Sequence, residues 1–216
     1  NMKSLKKKGK GKAKAADKKS TGKGTFLKNK REKLKKSNKL KKTKKTASYS
    51  ENHTILVCGE RDFSFTKGLI RHRKKREGIV STTKHSKQQI LEKCPKATAW
   101  LDSFQDVKIM YSVDPANLKR SMSPTLFDRV IFNFPSSGDQ RVHVNRNLLR
   151  DFFANVGCFV KSAQRGGEVH VNLINGSPYD KWDVKKVAAE SKFILVHTLS
   201  FDIGSFPGYH PQVTLI

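Results

Sequence analysis

The chain has 216 residues and a formal charge of +27, from 45 Lys+Arg against 18 Asp+Glu. Residues 1–50 hold 21 of those cations and 2 of the acids, a composition too self-repelling to bury a core, whereas residues 51–216 suffice for one full domain. No run approaches the roughly 18 apolar residues of a membrane span, no secretory pattern follows the lysine-rich start, and Cys58, Cys94 and Cys158 are too scattered for a disulfide framework or a cysteine zinc site; a soluble protein of a reducing, intracellular compartment is expected.

Lysine clusters recur from Lys3 to Lys45, with Phe26, Leu27, Leu34 and Leu40 as isolated apolar residues. Such a segment is expected to be a disordered tail over 1–50 that binds polyanions by counterion release, with RNA or a ribonucleoprotein as partner. Residues 30–45 suit a basic helix formed on binding, or a nuclear or nucleolar address.

From residue 51 the pattern becomes that of a folded domain. Residues 54–58 (TILVC) read as a strand, 65–73 as a helix and 78–83 as a second strand. Residues 86–105 supply one or two helices, with Ile90, Leu91, Trp100, Leu101 and Phe104 as core candidates. Residues 107–113 and 128–134 are continuous β-rich runs of the kind buried on both faces.

Leu148, Leu149, Phe152, Phe153, Val156, Phe159, Val160 and Ala163 form a helical stripe that Gly166-Gly167 ends. A strand over 168–174, a helix opened by Asp180 or Lys181, and a sixth strand over 193–199 complete the domain. The alternation predicts an α/β, Rossmann-like, mostly parallel sheet with helices on both faces and ligands at the carboxyl ends of the strands. Ile216 falls within an apolar run, which reads as a C-terminal truncation of the 51–216 domain.

The first strand runs into VCGERDFSF (57–65), where a glycine and acids lead into a helix. This is either a tight structural turn or a nucleotide-type cofactor loop. Asp114 after the third strand suits an adenine amino group, or caps a turn before Pro115. Asn133-Phe134-Pro135 ends the fourth strand with an amide and a ring, groups that hold and stack on a base, though Phe134 equally suits a core. The seven histidines show no paired metal spacing, so no metal is expected, and no nucleophile elbow is present. His170 and His197 lie within strands and read as satisfied imidazoles.

Taken in order, CGERDFSF (58–65), FDRVIFNFPSSG (127–138), NLLRDFF (147–153), GEVHVNLINGSPYDKW (167–182) and FPGYH (206–210) resemble the eukaryotic large-subunit ribosomal RNA uridine-N3 methyltransferase-like family. The resemblance implies a class I S-adenosylmethionine-dependent fold, a nucleolar setting, and ribosomal RNA or a pre-ribosomal particle as partner. It implies that Gly59, Glu60, Asp62, Phe63 and Ser64 hold the methionine end of the cofactor and that Asp114 sits by its adenine. Asn133, Phe134 and Pro135 would face the transfer center, with Tyr179, Asp180 and Tyr209 beside the substrate.

Three positions depart from the family pattern. Arg61 replaces the second glycine of Gly-Glu-Gly-Asp-Phe, His85 stands where an acid would hold the ribose hydroxyls, and PQVT (211–214) replaces a basic stretch. These departures support an alternative, a cofactor-free ribosome-assembly or RNA-binding factor on the same fold.

Overall fold

The computed structural model describes residues 2–7, 47, 49–95 and 106–211. The strands are β1 (Met2–Lys7), β2 (Ile55–Cys58), β3 (Ile79–Thr82), β4 (Lys108–Met110), β5 (Arg129–Asn133), β6 (Glu168–Asn172) and β7 (Phe193–Leu199). The helices are α1 (Ser64–Arg73), α2 (Lys87–Lys93), the single turn α3 (Leu118–Ser121), α4 (Val142–Val156) and α5 (Val184–Glu190). All seven strands form one sheet in the order β4-β3-β2-β5-β6-β1-β7. The expected Rossmann-like, mostly parallel architecture is present, and β1 alone runs antiparallel, against both β6 and β7.

The β2 and β5 runs are continuously apolar because the sheet is covered twice. Leu56, Cys58, Val130 and Phe132 face the side of α4 and α5, where Leu149, Phe152, Phe153, Val156 and Val187 complete one core. Ile55, Val57 and Ile131 face the opposite way, against Phe65, Leu69 and Phe206. Gly68 of α1 lets that helix approach closely: a Cβ there would lie 2.9 Å from Cβ of Phe206. Arg73, in the last turn of α1, donates to the carbonyls of Ser50, Glu51 and His53 and so fixes the approach of the chain to β2.

The lysine-rich leader was expected to lie wholly outside the fold, but its first residues form β1. Met2, Ser4 and Leu5 are buried. Ser4 Oγ donates to Glu168 Oε2 at 2.7 Å, and Lys6 Nζ lies 3.2 Å from Glu168 Oε1. Glu168 also accepts from Nε2 of buried His170, whose Nδ1 lies 3.0 Å from the Tyr49 hydroxyl. Burial lowers the His170 pKa and raises that of Tyr49, so a neutral imidazole bridges a phenol donor and a carboxylate acceptor. The satisfied imidazole expected at His170 is therefore observed. The tail and basic helix expected within residues 8–45, and the core candidates Trp100, Leu101 and Phe104, lie outside the described residues.

Other boundaries also differ from expectation. Helix α4 starts at Val142 and ends at Val156, so Phe159, Val160 and Ala163 are not part of its stripe. Phe159 and Val160 instead pair with Phe127, whose N–H donates to Phe159 O at 2.9 Å. The fifth helix is capped by Asp183, which accepts the Lys186 N–H, rather than being opened by Asp180 or Lys181; those two sit in a 3-10 turn, Tyr179–Trp182. Ile90 is buried as expected, but Leu91 is exposed because α2 turns only one apolar residue inward. Among the described residues no helix is long and apolar enough to cross a membrane, and no cluster of three metal-ligating side chains occurs.

Candidate functional site

The chain leaves β2 for β3 on one side and returns to β5 on the other, so the ends of β2 and β5 diverge at a topological switch point. A crevice at that point is where open α/β sheets bind ligands. Cys58 is paired in register with Phe132 there, and Asn133 with Asn172 on the next strand. The cleft has a volume of about 850 Å³, within the general range of small-ligand sites.

Of the residues singled out from sequence, Gly59, Glu60, Asp62, Asp114, Asn133, Phe134, Pro135 and Tyr209 all line this cleft. Phe63 and Ser64 stand behind its loop: Phe63 is fully buried against Ile90 and Tyr111, and Ser64 Oγ accepts from His210 N at 3.5 Å. Tyr179 and Asp180 do not line it; Tyr179 packs on Trp182 at a ring distance of 5.0 Å and Asp180 is exposed.

Gly59 has a double requirement. Its φ is +69°, and a Cβ would lie 2.8 Å from Cε2 of Phe132 and 3.2 Å from Cγ of Pro115. Arg61, two residues on, does not share it: it is absent from the positive-φ residues, so an arginine in place of a glycine there costs no left-handed backbone strain. The strained non-glycine residues around the cleft are Phe63 (φ 57°), Ser112 (φ 54°) and Phe134 (φ 45°), a concentration characteristic of functional sites.

Glu60 is 9% exposed and accepts the Thr66 N–H at 3.3 Å. Burial, reinforced by the charge of Asp62, pushes its pKa up to about 8 against that hydrogen bond, so the carboxyl is mostly protonated at neutral pH. Asp62 Oδ1 accepts Ser64 N–H at 3.0 Å, and Asp114 Oδ1 accepts Ala116 N–H at 2.9 Å, each ordering its turn while leaving a second carboxylate oxygen.

Asn133 is held by Asn172, which sequence reasoning missed. Asn172 Nδ2 donates to Asn133 Oδ1, leaving Asn133 Nδ2 as a buried donor with no partner among the described residues. Phe134 N–H donates to Asn172 O at 3.0 Å, and the Phe134 ring meets Phe201 edge-on at 5.7 Å, with Phe201 stacked on Phe206 at 5.5 Å. Asn145 is a second missed residue. Its carboxamide accepts from Ser137 N and Oγ, both at 3.0 Å, and donates to Asp139 O at 2.7 Å, pinning the loop that borders the cleft. The available signal was a polar side chain one helical turn before Leu149 on the stripe.

A mostly parallel sheet of this order, with a cleft at the strand crossover, defines a Rossmann-like α/β protein. The family described as BMT5-like, rRNA (uridine-N3-)-methyltransferase BTM5-like, matches residues 56–213, and the chain belongs to that family. It is 32% identical over 171 residues to heavy metal-associated isoprenylated plant protein 41 of Arabidopsis thaliana, covering 74% of this chain and 33% of the plant protein. It is 33% identical over 176 residues to the ferredoxin-fold anticodon-binding domain-containing protein 1 homolog of Mus musculus, covering 72% and 27% of the two chains. It is 21% identical over 232 residues to the 25S rRNA (uridine(2634)-N(3))-methyltransferase of Saccharomyces cerevisiae, covering 79% and 68%. The chain thus spans about a third of the plant relative and about a quarter of the mouse one.

Proposed function

We propose that this protein is an S-adenosylmethionine-dependent methyltransferase that acts on N3 of a uridine in large-subunit ribosomal RNA, working on pre-ribosomal particles in the nucleolus. The observation that carries the reading is the convergence of Gly59, Asp114 and Asn133, from three separate strand ends, on one cleft. Gly59 leaves the backbone bare beside Phe132, as a close-approaching ligand requires, and Asp114 keeps a free carboxylate oxygen suited to an adenine amino group. When bound there, S-adenosylmethionine would supply an electrophilic methyl group.

The residues of the chain would then align the base and ease loss of its imide proton. In uracil the two carbonyl oxygens flanking N3 take up the charge as that proton leaves. The unpartnered Asn133 Nδ2, its carboxamide oriented by Asn172, is a donor suited to one of those oxygens. Phe134, braced by Phe201, offers a ring edge or face to an unstacked base.

Incubation of the full chain with S-adenosylmethionine and unmodified large-subunit rRNA, followed by nucleoside mass spectrometry, tests this directly. We expect 3-methyluridine, with turnover falling about 10²-fold in Asn133→Ala, the scale of one lost transition-state donor; rRNA left unmethylated by the wild-type chain overturns the reading. One observation favours a second reading, a cofactor-independent rRNA-binding assembly factor: Arg61, Lys84 and His85 line the wall where the family pattern has a glycine and a ribose-holding acid. Specific rRNA binding without methyl transfer would then be found.

A further inference from the structure

The end of β3 is built as firmly as the rest of the cleft, but its chemistry is reversed. Thr82 and Thr83 are fully buried: Thr82 Oγ1 donates to Val57 O at 3.1 Å and Thr83 O accepts Val113 N–H at 2.9 Å. This frame delivers Lys84 and His85 to the cleft wall, where Arg61 from the preceding loop and Lys93 from α2 join them. Among the described residues, none of the three cations forms an ion pair with a carboxylate. Asp62, which shares the wall, has Oδ1 engaged by Ser64 N–H. Burial and the charges of Lys84, Lys93 and Arg61 hold the His85 imidazole below its ordinary pKa, and at this corner the three cations outnumber the single Asp62 carboxylate.

In nucleotide-binding α/β sheets an acid at the end of the second strand accepts from ribose hydroxyls, and a cation nearby accompanies a ribose that bears a phosphate. Arg61 fits such a role rather than that of a defect, because its backbone is unstrained and a guanidinium can engage two phosphate oxygens at once. We propose that Arg61, Lys84, His85 and Lys93 form a phosphate subsite, and that the cleft takes a nucleoside carrying a phosphate on its 2′ or 3′ oxygen. Two sources supply that chemistry: a free ribose-phosphorylated nucleotide, and any internal nucleotide of an RNA strand. S-adenosylmethionine has no such group, so this inference is independent of methyl transfer and implies that phosphorylated ligands compete for the cofactor cleft.

Calorimetric titration of the full chain at fixed ionic strength, with adenosine, adenosine 5′-monophosphate, adenosine 3′-monophosphate, tetra-adenylate and S-adenosylhomocysteine, tests it. The 3′-monophosphate is expected to bind at least about tenfold tighter than adenosine or the 5′-monophosphate. That preference should vanish in Lys84→Ala/Lys93→Ala and in His85→Asp, and persist in the control Lys185→Ala/Lys186→Ala on α5. Tetra-adenylate that loses affinity in the same variants identifies an RNA strand as the source; a mononucleotide that alone does so identifies a free nucleotide. Equal affinity for the two monophosphates, or a preference that survives Lys84→Ala/Lys93→Ala, overturns the subsite. S-adenosylhomocysteine binding with no 3′-phosphate preference would leave the methyltransferase reading standing while this inference fails; the opposite pattern would do the reverse.

Discussion

Ser4 and Glu168 lie 164 positions apart in the chain, yet the Ser4 hydroxyl donates to the Glu168 carboxylate at 2.7 Å. The contact ties the leader to β6 beside the buried His170 and Tyr49. Leu5, 1% exposed, faces the core formed with α4, so Leu5→Ala is expected to lower unfolding free energy by about 2–5 kcal/mol. Lys3→Ala, by contrast, should change it by less than about 0.5 kcal/mol. Urea denaturation of the two variants checks this; equal effects would mean that β1 does not pack as described.

Glu60 gives the protein a pH signature. A carboxyl raised to about 8 in the native state and near its usual value of about 4.3 when unfolded keeps a proton that the unfolded chain releases. The stability it contributes is complete below the unfolded value and is lost as pH rises through the native one. Glu60→Gln should therefore be nearly neutral at pH 4 and stabilising by about 1–3 kcal/mol at pH 8. Denaturant titrations at the two pH values measure the difference, and a pH-independent effect would contradict the assignment.

The two positions of the first loop should respond oppositely to substitution. Gly59→Ala forces a Cβ against the Phe132 ring at positive φ and is expected to cost about 1–3 kcal/mol of stability and to weaken ligand binding. Arg61→Gly relieves no backbone strain, since Arg61 has none, and removes one cation from the cleft. It should leave the melting temperature nearly unchanged while strengthening binding of the cationic cofactor. A large loss of stability in Arg61→Gly would show that the side chain has a structural role.

The parallel strands were legible because burial on both faces leaves unbroken apolar runs such as ILVC and RVIFN. Strand β1 was not. Its six residues are averaged into a leader dominated by lysine, and a register shift between Ser4 and Leu5 breaks the alternation that would reveal it. Phe159 and Val160 continue the α4 spacing by coincidence, since their pairing with Phe127 overrides helical periodicity. In the cleft, Gly59, Asp114 and Asn133 could be found because strand ends mark ligand positions. Asn172 could not, because Asn133 lies on another strand that only the fold brings near, and Asn145 shows in the sequence only as a polar residue on an apolar stripe, although its partners lie in the loop just before its helix.

Asn145 accounts for the shape of the far wall. Its amide nitrogen and oxygen together hold Ser137, Asp139 and Arg141, and replacing it leaves the Ser137 N–H without its acceptor and removes one donor each from the Asp139 and Arg141 carbonyls. Asn145→Ala is expected to destabilise by about 1–3 kcal/mol and to raise amide exchange selectively in residues 136–141. Unchanged protection there would show that the loop is held by other contacts.

The account depends on the strand-end cleft accepting an adenosyl cofactor beside Glu60. Calorimetric titration of the full chain with S-adenosylmethionine near pH 7, in two buffers of different ionisation enthalpy, tests that most directly. We predict micromolar affinity, and heats that differ between the buffers because a cation placed beside the protonated Glu60 carboxyl drives off its proton. No detectable heat at millimolar cofactor would contradict the account.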